Sequence, residues 1–338
     1  MIRGSVCSSN SDLSWVLTNL ESSKDYPNQF EYWYPHIVAL GIPTPKTRII
    51  PLSIEVIKAV YRQDPLPKFA KLAEAVELID QIEQIFESWG VDALFLKNSL
   101  GSAKHLWKHT CHLPKTTQTP GLEHHILSHV GCNLYTWIDS NFILPTGMIV
   151  RDLLEVTPAF HAFEGTPITQ EFRLFVENGR VTGYQPYWPE DSILDADVDD
   201  WRERLKGIRA PSPGLFLTMV QYAERITLPH DWSVDFLIDK KGNPWLIDMA
   251  LMNESFKASI EQGYVHCPAT PALISETEHN SALLRASELL CATLSAPESL
   301  ELERLTTQIE LYERAHFKIE TPSESDMVKF RKNEQSPR

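Results

Sequence analysis

Asp235 and Asp248 each interrupt an apolar run in W-S-V-D-F-L-I-D-K-K-G-N-P-W-L-I-D-M-A-L-M-N-E-S-F, residues Trp232–Phe256. An unpaired carboxylate is costly in such a setting. Two acids in one buried place call for a cation between them, and oxygen-only ligands suit Mg²⁺. Asn253 and Glu254 follow within reach. The simpler alternative is a hairpin carrying two solvated, edge-facing acids. Lys97 follows the apolar run Ala93–Leu96 and precedes the small-residue stretch Asn98-Ser99-Leu100-Gly101-Ser102-Ala103-Lys104. Backbone N–H groups in such a stretch can approach phosphate oxygens, although the G-K-[ST] order of a Walker A loop is absent. A plain strand-to-helix turn is the alternative. Glu171 and Arg173 lie two apart in one apolar run and so share a strand face, where a surface ion pair is the plainer outcome. His109, His112, His124, His125 and His129 suggest a metal cluster. No H-E-x-x-H arrangement accompanies them, which weighs against zinc.

These side chains need elements to position them. Val234–Ile238 and Trp245–Met249 flank a polar turn with Gly242, which predicts a β-hairpin that brings Asp235 and Asp248 together. Gln170–Val176 and Arg180–Tyr187 flank Glu177-Asn178-Gly179, the strongest short hairpin signal in the chain. Apolar residues at 69, 72, 76, 79, 82 and 86 predict one helix over Phe69–Trp89, ended by Gly90. Upstream, a helix through Ile37–Leu40 stops at Gly41. A Pro-restricted segment and a strand at Ile49–Leu52 follow. The aromatic cluster Phe30–Tyr34 reads as core. Residues 110–125 read as an exposed connection, Gly147–Val150 as a strand, Asp191–Trp201 as an acidic loop and Gly214–Arg225 as a helix. Ser281–Phe317 reads as helical and 320–338 as a disordered tail.

The chain has 338 residues, enough for two or three packed subdomains. A net charge of −14 argues against a general nucleic-acid binder and against adhesion to an acidic membrane, yet leaves room for a local phosphate pocket. The five cysteines are scattered with no C-x-x-C pair, as expected of reduced thiols in the cytoplasm. Neither a signal peptide nor a run of transmembrane length is evident.

The order of these pieces resembles the ATP-grasp superfamily. A strand ends in Lys97 and a small-residue loop follows. A strand then runs into a linker at Val150–Leu153, followed by E-F-R-L-F-V-E-N-G-R-V and finally V-D-F…G-N-P-W-L-I-D. With Y-W-Y-P and Y-P-H-I-V-A-L-G-I-P-T-P-K-T near the front, the chain is most similar to the cell-division-cycle-123 branch and its bacterial relatives, over roughly residues 30–260.

The resemblance implies an α+β ATP-grasp fold, with a nucleotide between two α+β subdomains and a helical C-terminal region. It divides the chain into an N-terminal region (1–88), a central subdomain (89–148), a C-terminal subdomain with the metal site (149–270), a helical region (271–319) and a tail (320–338). ATP and Mg²⁺ are the implied cofactors. Lys97 meets the phosphates, and Ser99, Gly101, Ser102 and Lys104 cover them. Val150, Arg151, Asp152 and Leu153 form the hinge that hydrogen-bonds adenine, and Arg173 faces the phosphates. Asp235 and Asp248 hold Mg²⁺. The family places Asn two residues after the second metal acid. Here that residue is Ala250, with Asn253 or Glu254 as replacements, which puts a second metal ion or full catalysis in question. The implied chemistry is ATP-dependent ligation of a carboxylate to an amine through an acyl phosphate, with neither substrate named. The alternative is an ATP-binding assembly factor for a protein client, since the branch is tied to assembly of translation initiation factor 2.

Overall fold

Residues 93–98 alternate strictly, and the alternation sets up the architecture. Strand β2 (Ala93–Asn98) sends Leu94 and Leu96 into one apolar core. Phe95 and Lys97 line a cleft on its other face. The computed structural model describes residues 14–117, 121–130 and 143–267. The expected helices of Ser281–Phe317 and the 320–338 tail lie outside the described residues.

Two antiparallel sheets form the frame. The first has the order β1-β4-β2-β3, with β1 at Thr47–Pro51, β3 at His112–Pro114 and β4 at Gly147–Asp152. Its core lies against helices α3 (Ile54–Tyr61) and α5 (Ala73–Trp89) and helix α6, residues 121–130. The second has the order β10-β9-β7-β8-β11. Here β7 is Glu171–Glu177, β8 is Arg180–Pro186, β9 is Trp232–Ile238, β10 is Pro244–Leu251 and β11 is Val265–His266. Helices α2 (Phe30–Ala39) and α8 (Pro213–Ala223) close its core around Trp33, Phe172, Val234 and Phe236. Each such buried side chain contributes roughly 1.5–3 kcal/mol. The mixture of helices and antiparallel sheets is the expected α+β class. Among the described residues no helix is long and apolar enough to cross a membrane.

Both expected hairpins are present. Asn178 and Gly179 have φ of 50° and 74°, the left-handed pair that a tight two-residue turn requires. Trp33 and Phe30 are fully buried, as expected of core aromatics.

Three expectations need correction. The helix of Phe69–Trp89 is two elements, α4 (Leu66–Phe69) and α5. Pro65 and Pro67 start a short turn, and Leu72 at ψ 121° breaks it before α5 begins. Residues 110–125 are not simply an exposed connection, because β3 pairs with β2 there and α6 starts at 121. The divisions at 88 and 148 also cross the first sheet: β1 pairs with β4, and residue 148 lies inside β4.

The histidines serve the fold. His125 reaches the carbonyls of Gly121 and His112 at 2.9 and 3.1 Å. No metal-binding cluster of three or more His, Cys, Asp or Glu occurs among the described residues. His129 is fully buried. Burial, reinforced by His125, holds its pKa down to about 3. The unfolded chain therefore binds a proton that the folded chain refuses between pH 6.5 and about 3. Stability present above pH 6.5 is lost as pH falls through that window, by about 2 kcal/mol at pH 5. Urea unfolding at pH 7 and pH 5 should show this loss, and His129→Leu should remove most of it. An equal loss in the variant would assign acid sensitivity to other groups.

Candidate functional site

Two of the sheets' faces meet in one cleft. From the first sheet come Phe95, Lys97 and Arg151, from the connection after β2 come Ser102, Lys104 and Trp107, and the segment Asp152–Leu154 leaves the end of β4 along its rim. From the second come Glu171, Leu237, Ile247 and Asp248. The space measures about 690 Å³ including its open mouth.

The acids reach this face through a local irregularity. In β9, Val234 and Phe236 point to the core, so Asp235 points to the cleft. In β10, Leu246 opposes Phe236 and Asp248 opposes Asp235, with Ile247 as the extra residue of a β-bulge. In regular pairing without the bulge, Ile247 would oppose Asp235, and Asp248 would oppose Val234 and enter the apolar core. Arg151 holds the bulge. Its Nη1 donates to the Ile247 carbonyl at 2.5 Å, Nη2 to Thr44 Oγ1 at 2.7 Å and Nε to Thr47 Oγ1 at 3.2 Å.

Each carboxylate meets a cation. Lys97, only 2% exposed, donates to both oxygens of Asp248 at 2.7 Å. Arg173 donates from Nε and Nη2 to the two oxygens of Asp235 at 2.8 Å. Lys104 pairs with Glu171 and lies 4.3 Å from the centre of the Tyr187 ring. Burial pulls Lys97 below the ordinary lysine range, and contact with Asp248 resists that pull. Burial lowers Arg151 to about 10. Burial disfavours the charge on Lys104 as well, but Glu171 outweighs it and the amine is raised overall. Glu171 is pushed up by burial and pulled down by Lys104. With an ammonium in contact, the ionised carboxylate is the form this geometry supports. Arg173 is raised because Asp235 outweighs its burial.

Lys97, Ser102, Lys104, Arg151, Asp152 and Leu153 thus share the cleft with Asp248. Arg173 and Asp235 join them through strand register, since Arg173 opposes Asp235 and Asp235 opposes Asp248. Other expected residues point elsewhere. Ser99 Oγ accepts from Gly147 N at 2.6 Å and donates to Glu31 at 2.8 Å. The N–H groups of Leu100 and Gly101 both donate to Asn98 Oδ1, at 2.9 and 3.0 Å. The amides of Leu100 and Gly101 are therefore already used, and of this loop Ser102 and Lys104 reach the cleft. Val150 is packed in the first core. Ala250 opposes Ser233, and Asn253 is exposed in the turn Met252–Glu254. Glu254 accepts from Tyr26 and from Asn28, the latter at 2.8 Å. Sequence reasoning missed Phe95, Leu237 and Ile247 as cleft walls and Glu171 as the partner of Lys104. Alternation in β2 and β9 was a signal for the first two.

On the rim, the backbone groups of Leu153 and Leu154 make no hydrogen bond among the described residues. Phe95, Leu154, Val156, Leu237 and Ile247 give the cleft an apolar lining between its charged groups. An apolar slot with a free amide edge fits a planar base, and the cations beside it fit phosphates. Asp235 and Asp248 supply the charged oxygen ligands that Mg²⁺ takes beside a polyphosphate.

No protein-family model and no curated protein sequence matches the chain. The fold is similar to solved ATP-grasp structures and to Cdc123. C-terminally truncated Cdc123 from Schizosaccharomyces pombe matches at 18% identity and a TM-score of 0.41, over 70% of this chain and 84% of that one. A RimK domain protein ATP-grasp from Sphaerobacter thermophilus DSM 20745 matches at 10% and 0.32, over 67% and 59%. N5-carboxyaminoimidazole synthetase from Staphylococcus aureus, complexed with ADP, matches at 12% and 0.34, over 66% and 44%. The chain therefore spans less than two thirds of the last two. The likeness is one of fold. What the cleft can do follows from its own residues.

Proposed function

We propose that the cleft binds Mg²⁺·ATP and that the protein is an ATP-dependent carboxylate–amine ligase. One observation carries the nucleotide reading. Lys97, Lys104 and Asp248 line a largely apolar cleft, Arg173 and Asp235 stand beside them through strand register, and unpaired backbone groups of Leu153 and Leu154 lie on its rim. The apolar walls exclude water from the base while the backbone edge orients it. Lys97, Lys104 and Arg173 present fixed positive charge where a phosphoryl group gains negative charge during transfer. Asp235 and Asp248 would hold Mg²⁺, which supplies further neutralisation of phosphoryl oxygens when bound.

Support for ligation comes from the sequence resemblance: such a site would activate a carboxylate as an acyl phosphate for attack by an amine. The second reading, an ATP-binding assembly factor without ligase turnover, is favoured by Ala250. That residue offers no side-chain oxygen beside the acid pair, and Asn253 stands exposed on the turn beyond.

Mg²⁺·ATP at about one hundred times its Kd should stabilise the folded protein by about 2.7 kcal/mol. For a protein of this size that raises Tm by about 4 °C. No shift at millimolar Mg²⁺·ATP would contradict the nucleotide reading. ADP release dependent on an added acid and amine would select the ligase. Saturable binding of a protein client without ADP release would select the factor.

A further inference from the structure

Glu171, Asp235 and Asp248 each already neutralise a cation. Lys97 is engaged by both oxygens of Asp248, Lys104 by Glu171 and Arg173 by both oxygens of Asp235. The fourth buried cation, Arg151, is held by the Ile247 carbonyl and two threonine hydroxyls. With Asp152 on the rim, four carboxylates stand against four cations, so the cleft holds no surplus positive charge to receive a free polyphosphate. A polyphosphate arriving without metal would load this poorly hydrated place with negative charge. It would also compete with Asp248 for Lys97 and leave that carboxylate facing phosphate.

We propose that Asp248, through its pairing with Lys97, makes the cleft select metal-complexed over metal-free nucleotide. The inference rests on the reading of the cleft as a Mg²⁺·nucleotide site. A divalent cation takes the Asp248 carboxylate, and Lys97 is thereby released to the phosphates. The metal is required for entry of the nucleotide, ahead of any chemistry. Asp248 is the discriminating acid because solvent reaches it. Its side chain is 31% exposed, whereas Asp235 is 3% exposed and clamped by a two-pronged guanidinium. Ionic partners come from different sheets at Lys97–Asp248, so the exchange needs no rupture of strand pairing.

The test is a set of ATP titrations with excess Mg²⁺ and with excess EDTA, followed by calorimetry or by fluorescence of the cleft residues Trp107 and Trp188. For the wild type, Mg²⁺ should raise ATP affinity by about a hundredfold or more. For Asp248→Asn, Lys97 has lost its competitor, so affinity for metal-free ATP should rise about tenfold above the wild type, the worth of one charge-assisted contact. Dependence on Mg²⁺ should shrink to a few-fold. Asp248→Ser is read in the same way if the Asn variant does not fold. Metal-free affinity no better than wild type in a folded Asp248 variant would overturn the inference. So would a wild-type ratio of Mg²⁺ to EDTA affinities near one, whatever the variants do. Absence of ATP binding by the wild type with Mg²⁺ would instead refute the nucleotide reading itself, which separates the two failures.

Discussion

Arg173→Met should destabilise the protein by about 3–5 kcal/mol, the largest loss expected from any single change in the site. Arg173 and Asp235 are direct cross-strand partners on the β7 and β9 ladder, so backbone pairing holds them face to face. Two parallel contacts of 2.8 Å join them, and Asp235 is almost wholly buried. Removing the guanidinium leaves a carboxylate with neither water nor partner. The pair need not itself be stabilising relative to apolar residues of the same size. The double change Arg173→Met with Asp235→Leu should therefore recover most of the loss. Urea unfolding of the two variants measures both quantities. A loss under 1 kcal/mol for Arg173→Met would mean that water reaches Asp235 and that the acid is not held in the way described.

Lys97→Met should lower Mg²⁺·ATP affinity by about a hundredfold, as loss of a strong charge-assisted contact does. Its cost in stability should be the smaller effect. The side chain it strands, Asp248, is 31% exposed and can regain water. The methionine stem still fills the apolar channel beside Phe30, whose ring centre lies 5.5 Å from the Lys97 amine. Calorimetric titration of the folded variant gives the affinity. Unchanged affinity would remove Lys97 from the nucleotide site and leave it a structural partner of Asp248.

Local pattern made much of this legible. Period-two alternation in β2 and β9 gives Lys97 and Asp235 their side of the sheet, and Asn178-Gly179 fixes the first hairpin. The polar turn around Gly242 fixes the second, and with it the pairing of the two segments that carry Asp235 and Asp248. The bulge at Ile247 was not legible. W-L-I-D-M reads as plain alternation, and only the paired strand reveals the extra residue that turns Asp248 outward. Nor do ion partners announce themselves when 151 residues separate Lys97 from Asp248 and 67 separate Lys104 from Glu171. Arg151 was expected at the hinge for its backbone, whereas its guanidinium supports the bulge from the neighbouring sheet. The small-residue loop misled for a physical reason. Asn98 is fully buried and its side-chain oxygen takes the very amides that a phosphate would need.

The most direct test of the cleft as a nucleotide site is a crystal structure of the protein with Mg²⁺ and a nonhydrolysable ATP analogue. The account predicts the base against Leu153 and Leu154, the phosphates at Lys97 and Lys104, and Mg²⁺ bridging them to Asp235 and Asp248. A nucleotide bound elsewhere, or an empty cleft at saturating analogue with Lys97 still on Asp248, would contradict it.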